Sequence, residues 1–560
     1  MQIGIVPYLN QIFPNSNAQG LNDILHGVST ENILKLASFV NGKLFVNDSS
    51  KTHREIFNTI IFQEGIENSE EINANMVLFE QKHTAKEIGI FPLFIILKLI
   101  EYSIINFNDK DNLENPQKEL AFLKAVLFLH QEYDKKYIGL KYEKSIFLLW
   151  SGIFPQYEYL KQKNPINEMY VAFSLFDYLE SRFPEYYANY LVINSSKNTK
   201  DMLKEILGLI AHSFNNENKL QACNFTSESF NKLSIISSFI RDISNFDLNN
   251  YIETKRHLFF KGLREKPVLR LHDKSFVVIN WNYITDKIRQ GVVFDFYNNS
   301  GINEKLTFDR FKSTIGKEYS EKGIFTFILN ELYEGNPDVI MYSEDAEKNW
   351  NFDYYIRYNN KILLFEFKDV TISEDIKNSS GKRIWEELKL KFVENDKGKP
   401  KGMTQLANFI ERLNSDPNSI ENYNDYGLTK SNLIIMPILL YTDESCGIHG
   451  INRELAVEFR KKYKSNDFFF VYNPVMIGVN VIVEYLYHLK GSPQKLITLI
   501  HEYYLHRVTY QLNSNSSNYY EVFENSALSF DKYLAYRFGE LTNFDNSISL
   551  KFIKQKLDLT

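Results

Sequence analysis

The sequence predicts an α+β protein of more than one domain, and three observations lead to this class. The chain has 560 residues, which corresponds to two to four domains of about 100 to 200 residues each. Apolar residues recur at helical spacing from about residue 21 to residue 240 and again after Ser492. From about Pro267 the pattern changes to short apolar runs separated by turn residues, which is typical of a mixed α/β domain.

The composition limits the class of protein further. Hydrophobic residues make up 44% and charged residues 24% of the chain, which excludes intrinsic disorder as its main state. The net charge of −6 means that any binding of nucleic acid must use a local basic patch. Cys223 and Cys446 form no metal-binding motif and fit a reducing compartment. Residues 1–13 lack a signal-peptide pattern, and the apolar stretch 88–97 is shorter than the roughly 20 residues needed to span a bilayer. We therefore expect a cytoplasmic protein that does not cross a membrane.

Residues 1–260 predict a mostly α-helical N-terminal domain. Apolar side chains recur three or four positions apart in blocks such as Leu120, Leu123, Val126, Leu127 and Leu203, Ile206, Ile210. Polar stretches at 106–119 and 194–201 are candidate breaks within this domain. No motif in it identifies a ligand, and our hypothesis is that it binds a partner protein or a regulatory ligand.

The remaining chain is predicted to have three parts. Residues 261–310 form a short β-containing connector, because two apolar runs at 268–271 and 276–279 flank a turn. Residues 311–490 then predict an α/β domain with these elements in order: helix 318–333, strand 339–342, hairpin 352–369, helix 404–413, strand 433–441, helix 453–463 and strand 468–472. Ser492 and Pro493 favour a helix start, so residues 491–560 predict a C-terminal helical segment.

The hairpin carries the most informative pattern. Asn359-Asn360 suits a two-residue type I′ turn, because asparagine tolerates the left-handed conformation that both central positions require. Pairing the residues on either side of that turn places Asp353 directly opposite Glu366 on one face of the sheet. Side chains alternate along a strand, so Lys368 shares that face.

Two facing carboxylates on an apolar sheet indicate a cation. Like charges in this position are destabilising unless they are paired or bind a metal. Carboxylate oxygens suit Mg²⁺ or Mn²⁺, and a neighbouring lysine can orient or activate an attacking water. The pattern therefore favours hydrolysis of a phosphodiester. The alternative is a solvated edge hairpin whose Glu366 and Lys368 merely pair with each other.

Asp353, followed after twelve residues by the Glu-x-Lys motif of Glu366 and Lys368, resembles the PD-(D/E)XK nuclease superfamily. The resemblance covers residues 310–475. A Pro-Asp pair occurs one strand earlier, at Pro337-Asp338, so we match the first acid of the motif to Asp353, which no proline precedes. The resemblance implies a restriction-endonuclease-like α/β core with a central mixed sheet. It also implies that the matched acids hold the metal and that the lysine is catalytic.

Two further positions follow from the same resemblance. Members of the superfamily often add an acid from the helix before the sheet, and Glu321 is the favoured metal ligand here, with Glu318 as the alternative. Gln405, four residues before Phe409, is similar to the Gln-x-x-x-aromatic signature of the RecB-like branch. The resemblance implies that Gln405 orients substrate or water. The alternative is that Glu321 and Gln405 are both ordinary solvated helix residues.

A lysine-rich stretch at 376–404 is predicted to contact the substrate. Lys397, Lys399 and Lys401 lie at its end, and our hypothesis is a mobile flap that grips phosphates. A solvated insertion without function is the alternative.

The sequence thus predicts a metal-dependent nuclease. The resemblance favours DNA over RNA as its substrate, and it implies a role in restriction, repair or, for a regulated effector, bacterial defence against phage. The rival interpretation is a catalytically silent interaction protein whose helical domain binds a partner.

Overall fold

The computed structural model describes residues 5–83, 87–138, 145–160, 163–214, 240–243, 246–255, 258–343, 352–463, 467–512, 525–538 and 547–559. The chain divides into two compact units. The first comprises Met1–Lys141, Tyr159–Leu306 and Ile553–Thr560, and the second comprises Tyr142–Glu158 and Thr307–Phe552. None of the described helices combines the length and the apolar character needed to cross a membrane.

The first unit is mainly helical, as the spacing of its apolar residues predicts. Its α-helices are Leu9–Ile12, Leu21–Ile24, Thr30–Val46, Ser50–Ile61, Ser69–Lys82, Leu93–Ile105, Asn115–Ile138, Pro165–Arg182, Pro184–Ile193, Thr199–Phe214, Leu248–Glu253, Lys261–Glu265, Trp281–Asp286 and Gln290–Asn299. Side chains of Ser29, Ser49 and Asn164 accept hydrogen bonds from backbone N–H groups at three helix starts, where those groups lack partners within the helix. Leu123 and Leu203 are buried, as predicted.

A small sheet belongs to the same unit. Ile240–Asp242 (β1) pairs in parallel with Val268–Arg270 (β2), which pairs antiparallel with Phe276–Val278 (β3). The predicted short hairpin is therefore confirmed as β2 and β3. Because these strands pair with β1, the segment predicted as a connector is part of the first unit as far as Leu306. The candidate breaks at 106–119 and 194–201 also lie inside this unit.

The second unit contains the mixed sheet. Its strands are Val339–Ser343 (β4), Tyr354–Tyr358 (β5), Lys361–Lys368 (β6), Ile434–Tyr441 (β7), Phe470–Val471 (β8) and Val475–Gly478 (β9). Strands β4, β5 and β6 are antiparallel neighbours, and β7 pairs in parallel with β6, β8 and β9. The predicted strand at 468–472 is shorter than expected. Strand β9 was not predicted, because four buried residues after Pro474 show no alternation.

Helices surround this sheet. They are Ser145–Ile153, Phe308–Thr314, a π-helix at Ile315–Phe325, Thr326–Tyr333, Glu374–Lys377, Gly381–Phe392, Gly402–Ser415, Ile451–Lys462, Val479–Glu484, Leu486–Leu489, Pro493–Leu512 and Phe530–Phe538. The last described helix is Ser547–Leu557. The predicted helix at 318–333 is thus the later part of a longer helical run that begins at Phe308.

Two segments join the second unit from outside the predicted 311–490 domain. The Pro493–Leu512 helix contacts strand β8, since the ring centres of Phe470 and Tyr504 lie 6.3 Å apart. The early helix Ser145–Ile153 packs on Gly381–Phe392, where the Gly381 N–H donates to Oγ of Ser151 at 2.7 Å. A Cβ at Gly381 would overlap the Phe147 carbonyl oxygen, so only glycine permits this approach.

Candidate active site

The hairpin of β5 and β6 has the predicted register. Tyr354 lies opposite Phe365, and Tyr358 lies opposite Lys361. The turn differs from a type I′ turn, which needs positive φ at both central residues. Asn359 has a φ of 53°, whereas Asn360 is not among the described residues with positive φ. The Asn360 side chain instead donates to the Asn432 carbonyl oxygen at 2.7 Å.

Asp353 lies one residue before β5, at the position that the register places opposite Glu366. Its Oδ2 atom accepts a hydrogen bond from the backbone N–H of Phe367 at 2.5 Å. Because Phe367 follows Glu366 directly, this bond holds the Asp353 carboxyl beside the end of β6.

Glu366 is buried, with 1% of its surface exposed. Its Oε1 atom forms an ion pair with Nζ of Lys368. Burial raises the pKa of Glu366 to about 8, and the negative charges of Asp353 and Glu321 add to the rise, while Lys368 opposes it. The ionised form of Glu366 is therefore unfavourable here without further positive charge.

Lys368 is surrounded by the same acids. Burial alone would lower the pKa of its ammonium group, but the carboxyls of Glu366, Asp353 and Glu321 outweigh burial and raise the pKa above its ordinary value. Lys368 is thus a cation at neutral pH. A cation can orient a water molecule or stabilise negative charge, but it cannot accept a proton.

The π-helix Ile315–Phe325 brings the helix acids to the sheet. Its Phe325 ring stacks on Phe367 with ring centres 5.5 Å apart, on the face of β6 opposite to Glu366. Glu321 is half-buried and its charge raises the pKa of both Glu366 and Lys368. Glu318 is exposed. The electrostatic influence therefore associates Glu321, rather than Glu318, with Glu366. The described acids do not, however, form the three-ligand metal group of Asp353, Glu366 and Glu321 that the resemblance implies.

Asp369, which sequence reasoning missed, fastens this π-helix to the strand ends. Its Oδ2 accepts a hydrogen bond from Ser320 Oγ at 2.9 Å, and its Oδ1 accepts one from Thr442 Oγ1 at 2.9 Å. A Cβ at Gly316 would lie 3.3 Å from Oδ2. Lys312 adds an ion pair at 3.3 Å. The signal for Asp369 in the sequence is its place directly after the Glu-x-Lys motif, where a strand end needs a polar anchor.

Gln405 lies in the first turns of the helix Gly402–Ser415. This helix packs on the face of the sheet that carries Glu366, since a Cβ at Gly402 would lie 2.5 Å from Leu439, the β7 partner of Glu366. The Oε1 atom of Gln405 is buried and has no hydrogen-bond partner among the described residues. Because this oxygen is enclosed by protein, a buried water is the partner that could satisfy it.

The lysine-rich stretch is ordered structure, so the prediction of a mobile flap is wrong. It forms the helix Gly381–Phe392, whose Ile384 and Leu388 are buried. A tight turn follows, in which Asn395 Oδ1 accepts the backbone N–H groups of Lys397 and Lys399 at 3.1 and 2.8 Å. The many lysines of this stretch obscured the helical spacing of its apolar residues, so the helix was not predicted.

The three predicted substrate lysines lie on or next to this turn. Lys397 and Lys399 are exposed, and Lys401 is half-buried at the start of the helix that carries Gln405. The backbone therefore connects the lysine turn to the Gln405 helix within a few residues.

The described residues provide carboxylates for a cation but no complete cage. Among them, no group of three or more His, Cys, Asp or Glu side chains is placed to hold a metal ion. Mg²⁺ needs no such cage, because one or two carboxylates commonly bind it while waters and substrate phosphates fill its other positions. The donor set of Asp353 and Glu366 fits this mode.

Comparisons of the chain with protein-family models, with curated proteins and with solved structures found no match.

Proposed function

We propose that this chain is a metal-dependent nuclease that hydrolyses phosphodiester bonds in DNA. The observation that supports this function most strongly is the cluster at the end of β6. There, a fully buried Glu366 pairs with Lys368 and is affected by the charges of Asp353 and Glu321. The charges of three acids influence one base here, and strongly shifted pKa values beside a specific charge partner are common at functional sites.

The order of elements around the cluster supports the same proposal. A helical run ending at Tyr333 precedes three antiparallel strands, and the helix Gly402–Ser415 then leads to the parallel strand β7. These elements follow the order that the sequence predicts for residues 311–490. The acids lie at the C-terminal end of β6, next to the C-terminal end of β7, where open α/β sheets commonly bind ligands.

The residues suggest distinct chemical roles. Asp353 and Glu366 would hold Mg²⁺ or Mn²⁺, with Glu321 beside them; a bound divalent ion supplies a polarised phosphate and a water of lowered pKa. The Lys368 ammonium orients the attacking water and stabilises charge on the phosphate oxygens. The unpartnered Gln405 oxygen accepts a hydrogen bond from an enclosed water. The lysine turn contacts phosphates farther along the DNA strand.

A cleavage assay tests this proposal. Purified protein is incubated with supercoiled plasmid in Mn²⁺ or Mg²⁺ and, separately, in EDTA. We expect divalent-dependent nicking or degradation that Lys368→Ala reduces at least 100-fold, since positioning of water and charge is lost while the carboxylates remain. Glu386→Gln, which changes an exposed carboxyl of the same unit, should cleave like the parent.

Two results would contradict this proposal. Cleavage by Lys368→Ala at the parent rate would remove Lys368 from the mechanism. A parent that cuts neither DNA nor RNA in either metal would favour the catalytically silent interaction protein.

A further inference from the structure

A cleft of about 740 Å³ opens in the second unit, away from the acids. Three helices line it: Leu486–Leu489, the first half of Pro493–Leu512 and the end of Phe530–Phe538. Sites for small molecules typically have volumes of about 300 to 1,000 Å³, and the volume of this cleft lies within that range.

Three planar rings line the cleft, those of Tyr487, His488 and Phe538. Phe538 stacks on His488 with ring centres 4.4 Å apart and planes 18° from parallel. Phe538 remains 36% exposed and Tyr487 remains 50% exposed. Exposed aromatic rings that line a concave surface offer π-faces for stacking on a planar ligand.

Charged side chains also line the cleft. They are Lys490, Lys495, Arg537 and one acid, Glu502. Arg537 pairs with Glu502 at 3.2 Å, and Lys490 pairs with Glu331.

Lys495 differs from these two cations. Its ammonium group donates to the Lys490 carbonyl oxygen at 2.7 Å, and no carboxylate of the described residues pairs with it. The cleft therefore holds one positive charge that a ligand anion can neutralise, at the beginning of a 20-residue helix, where the helix dipole also favours an anion.

The cleft lies at the opposite end of β6 from the acids. Gln494, which lines the cleft, accepts a hydrogen bond from Nζ of Lys361 at 3.0 Å, and Lys361 is the first residue of β6. Glu366 is five residues farther along, roughly 17 Å at about 3.3 Å per residue. A ligand in the cleft is thus separate from the candidate active site.

We propose that this cleft binds a nucleoside phosphate. The base stacks on Phe538 and Tyr487, and the phosphates bind Lys495. Planar rings beside an uncompensated lysine match a ligand that is aromatic at one end and anionic at the other. This inference does not depend on nuclease activity.

Titration calorimetry of the full chain with ATP in EDTA tests the proposal, because EDTA removes any metal from Asp353 and Glu366. We expect saturable binding that Lys495→Glu and Phe538→Ala each weaken at least tenfold. The matched control is Lys461→Glu, which reverses an exposed lysine outside the cleft and should leave the affinity unchanged. Glu366→Gln should also bind ATP like the parent, so failure of the nuclease proposal and failure of this one are distinguishable.

Tripolyphosphate, which has no base, and AMP, which has one phosphate, test the phosphate contacts and the base contacts separately. We expect both to bind more weakly than ATP. Tripolyphosphate binding as tight as that of ATP, with no effect of Phe538→Ala, would overturn the proposal in favour of a simple anion patch. Absence of saturable ATP binding up to millimolar concentration would overturn it entirely.

Discussion

Two buried carboxylates of the second unit pair with a basic side chain, and their surroundings differ. Glu421 accepts two hydrogen bonds of 2.8 Å from Arg357 and a third from the Tyr355 hydroxyl at 2.6 Å. Glu366 pairs with Lys368, but burial raises its pKa and the charges of two further acids add to the rise. The first pair is balanced in charge and richly hydrogen-bonded, as expected for a structural role. The Glu366–Lys368 pair has excess negative charge around it. This excess is not expected of a pair that only stabilises the fold.

The largest expected effect concerns the balanced pair. Arg357→Met leaves the Glu421 carboxylate buried without its cation, and we expect it to lower the free energy of unfolding by about 3–5 kcal/mol. Urea unfolding of the full chain measures this change. The double variant Arg357→Met/Glu421→Leu should recover most of the loss, because a well-packed apolar pair can replace a buried ion pair. A single variant as stable as the parent would show that the pair is not structural.

The next effect concerns pH and Glu366. Its pKa is about 8 in the folded protein, against an ordinary value of 4.5, so between these values the folded state binds more protons than the unfolded state. Its contribution to stability is therefore fully present below pH 4.5 and is lost as pH rises through 8, by at most about 1.4 kcal/mol per pH unit. In EDTA, the free energy of unfolding of Glu366→Gln should fall less steeply with pH than that of the parent, because glutamine does not titrate.

Urea unfolding at a series of pH values from 5 to 9 measures the slope. Glu386→Gln, which removes an exposed carboxyl, should decline like the parent. Parallel curves for the parent and Glu366→Gln would contradict the raised pKa.

A smaller effect is expected at Asp353. Asp353→Asn removes a negative charge beside Glu366 and keeps an acceptor for the Phe367 N–H, so in EDTA the variant should equal the parent in stability or exceed it by about 0.2–1 kcal/mol. It should also lose most of the rise in melting temperature that Mn²⁺ produces by binding the folded parent. Thermal melts with and without Mn²⁺ measure both quantities. A parent whose melting temperature does not change in millimolar Mn²⁺ would argue against a metal at this pair.

The smallest expected effect concerns the lysine turn. Changing Lys397, Lys399 and Lys401 together to glutamine should weaken DNA binding and flatten its dependence on salt, by about 0.9 in the log-log slope for each phosphate that the protein ceases to neutralise. Fluorescence anisotropy over a range of KCl concentrations, in EDTA to prevent cleavage, measures the slope. Lys461→Gln serves as the control for an exposed lysine elsewhere. An unchanged slope would show that these three lysines do not contact DNA phosphates.

Local patterns allowed most of the second unit to be predicted. Strands β4 to β7 and the helix Gly402–Ser415 agree with the sequence within about two residues, because alternation and helical spacing are properties of neighbouring residues. The register of β5 and β6 followed from the two-residue turn, even though the predicted conformation of Asn360 was wrong. Register depends on the length of the loop, whereas turn type depends on interactions such as that of Asn360 with Asn432.

Long-range relations could not be predicted. The Asp369 anchor consists of hydrogen bonds from Ser320 and Thr442, which lie 49 and 73 positions away in the chain. No periodicity indicates such pairings. The helix in the lysine-rich stretch was missed because its charged residues dominate the composition, and the Ser145–Ile153 helix was assigned to the N-terminal domain by its position in the chain alone.

The position of Ser145–Ile153 has a consequence for synthesis of the protein. Its Ser151 meets its partner Gly381 across 230 residues, and ribosomes add roughly 5–20 residues per second. This helix is therefore synthesised about 10 to 50 s before the helix on which it packs. Its Trp150 is fully buried in the folded protein and lacks that packing surface during the interval. During that interval the nascent chain presents a natural target for chaperones, and a fragment that begins at Thr307 would lack this helix and leave the matching surface of Gly381–Phe392 uncovered.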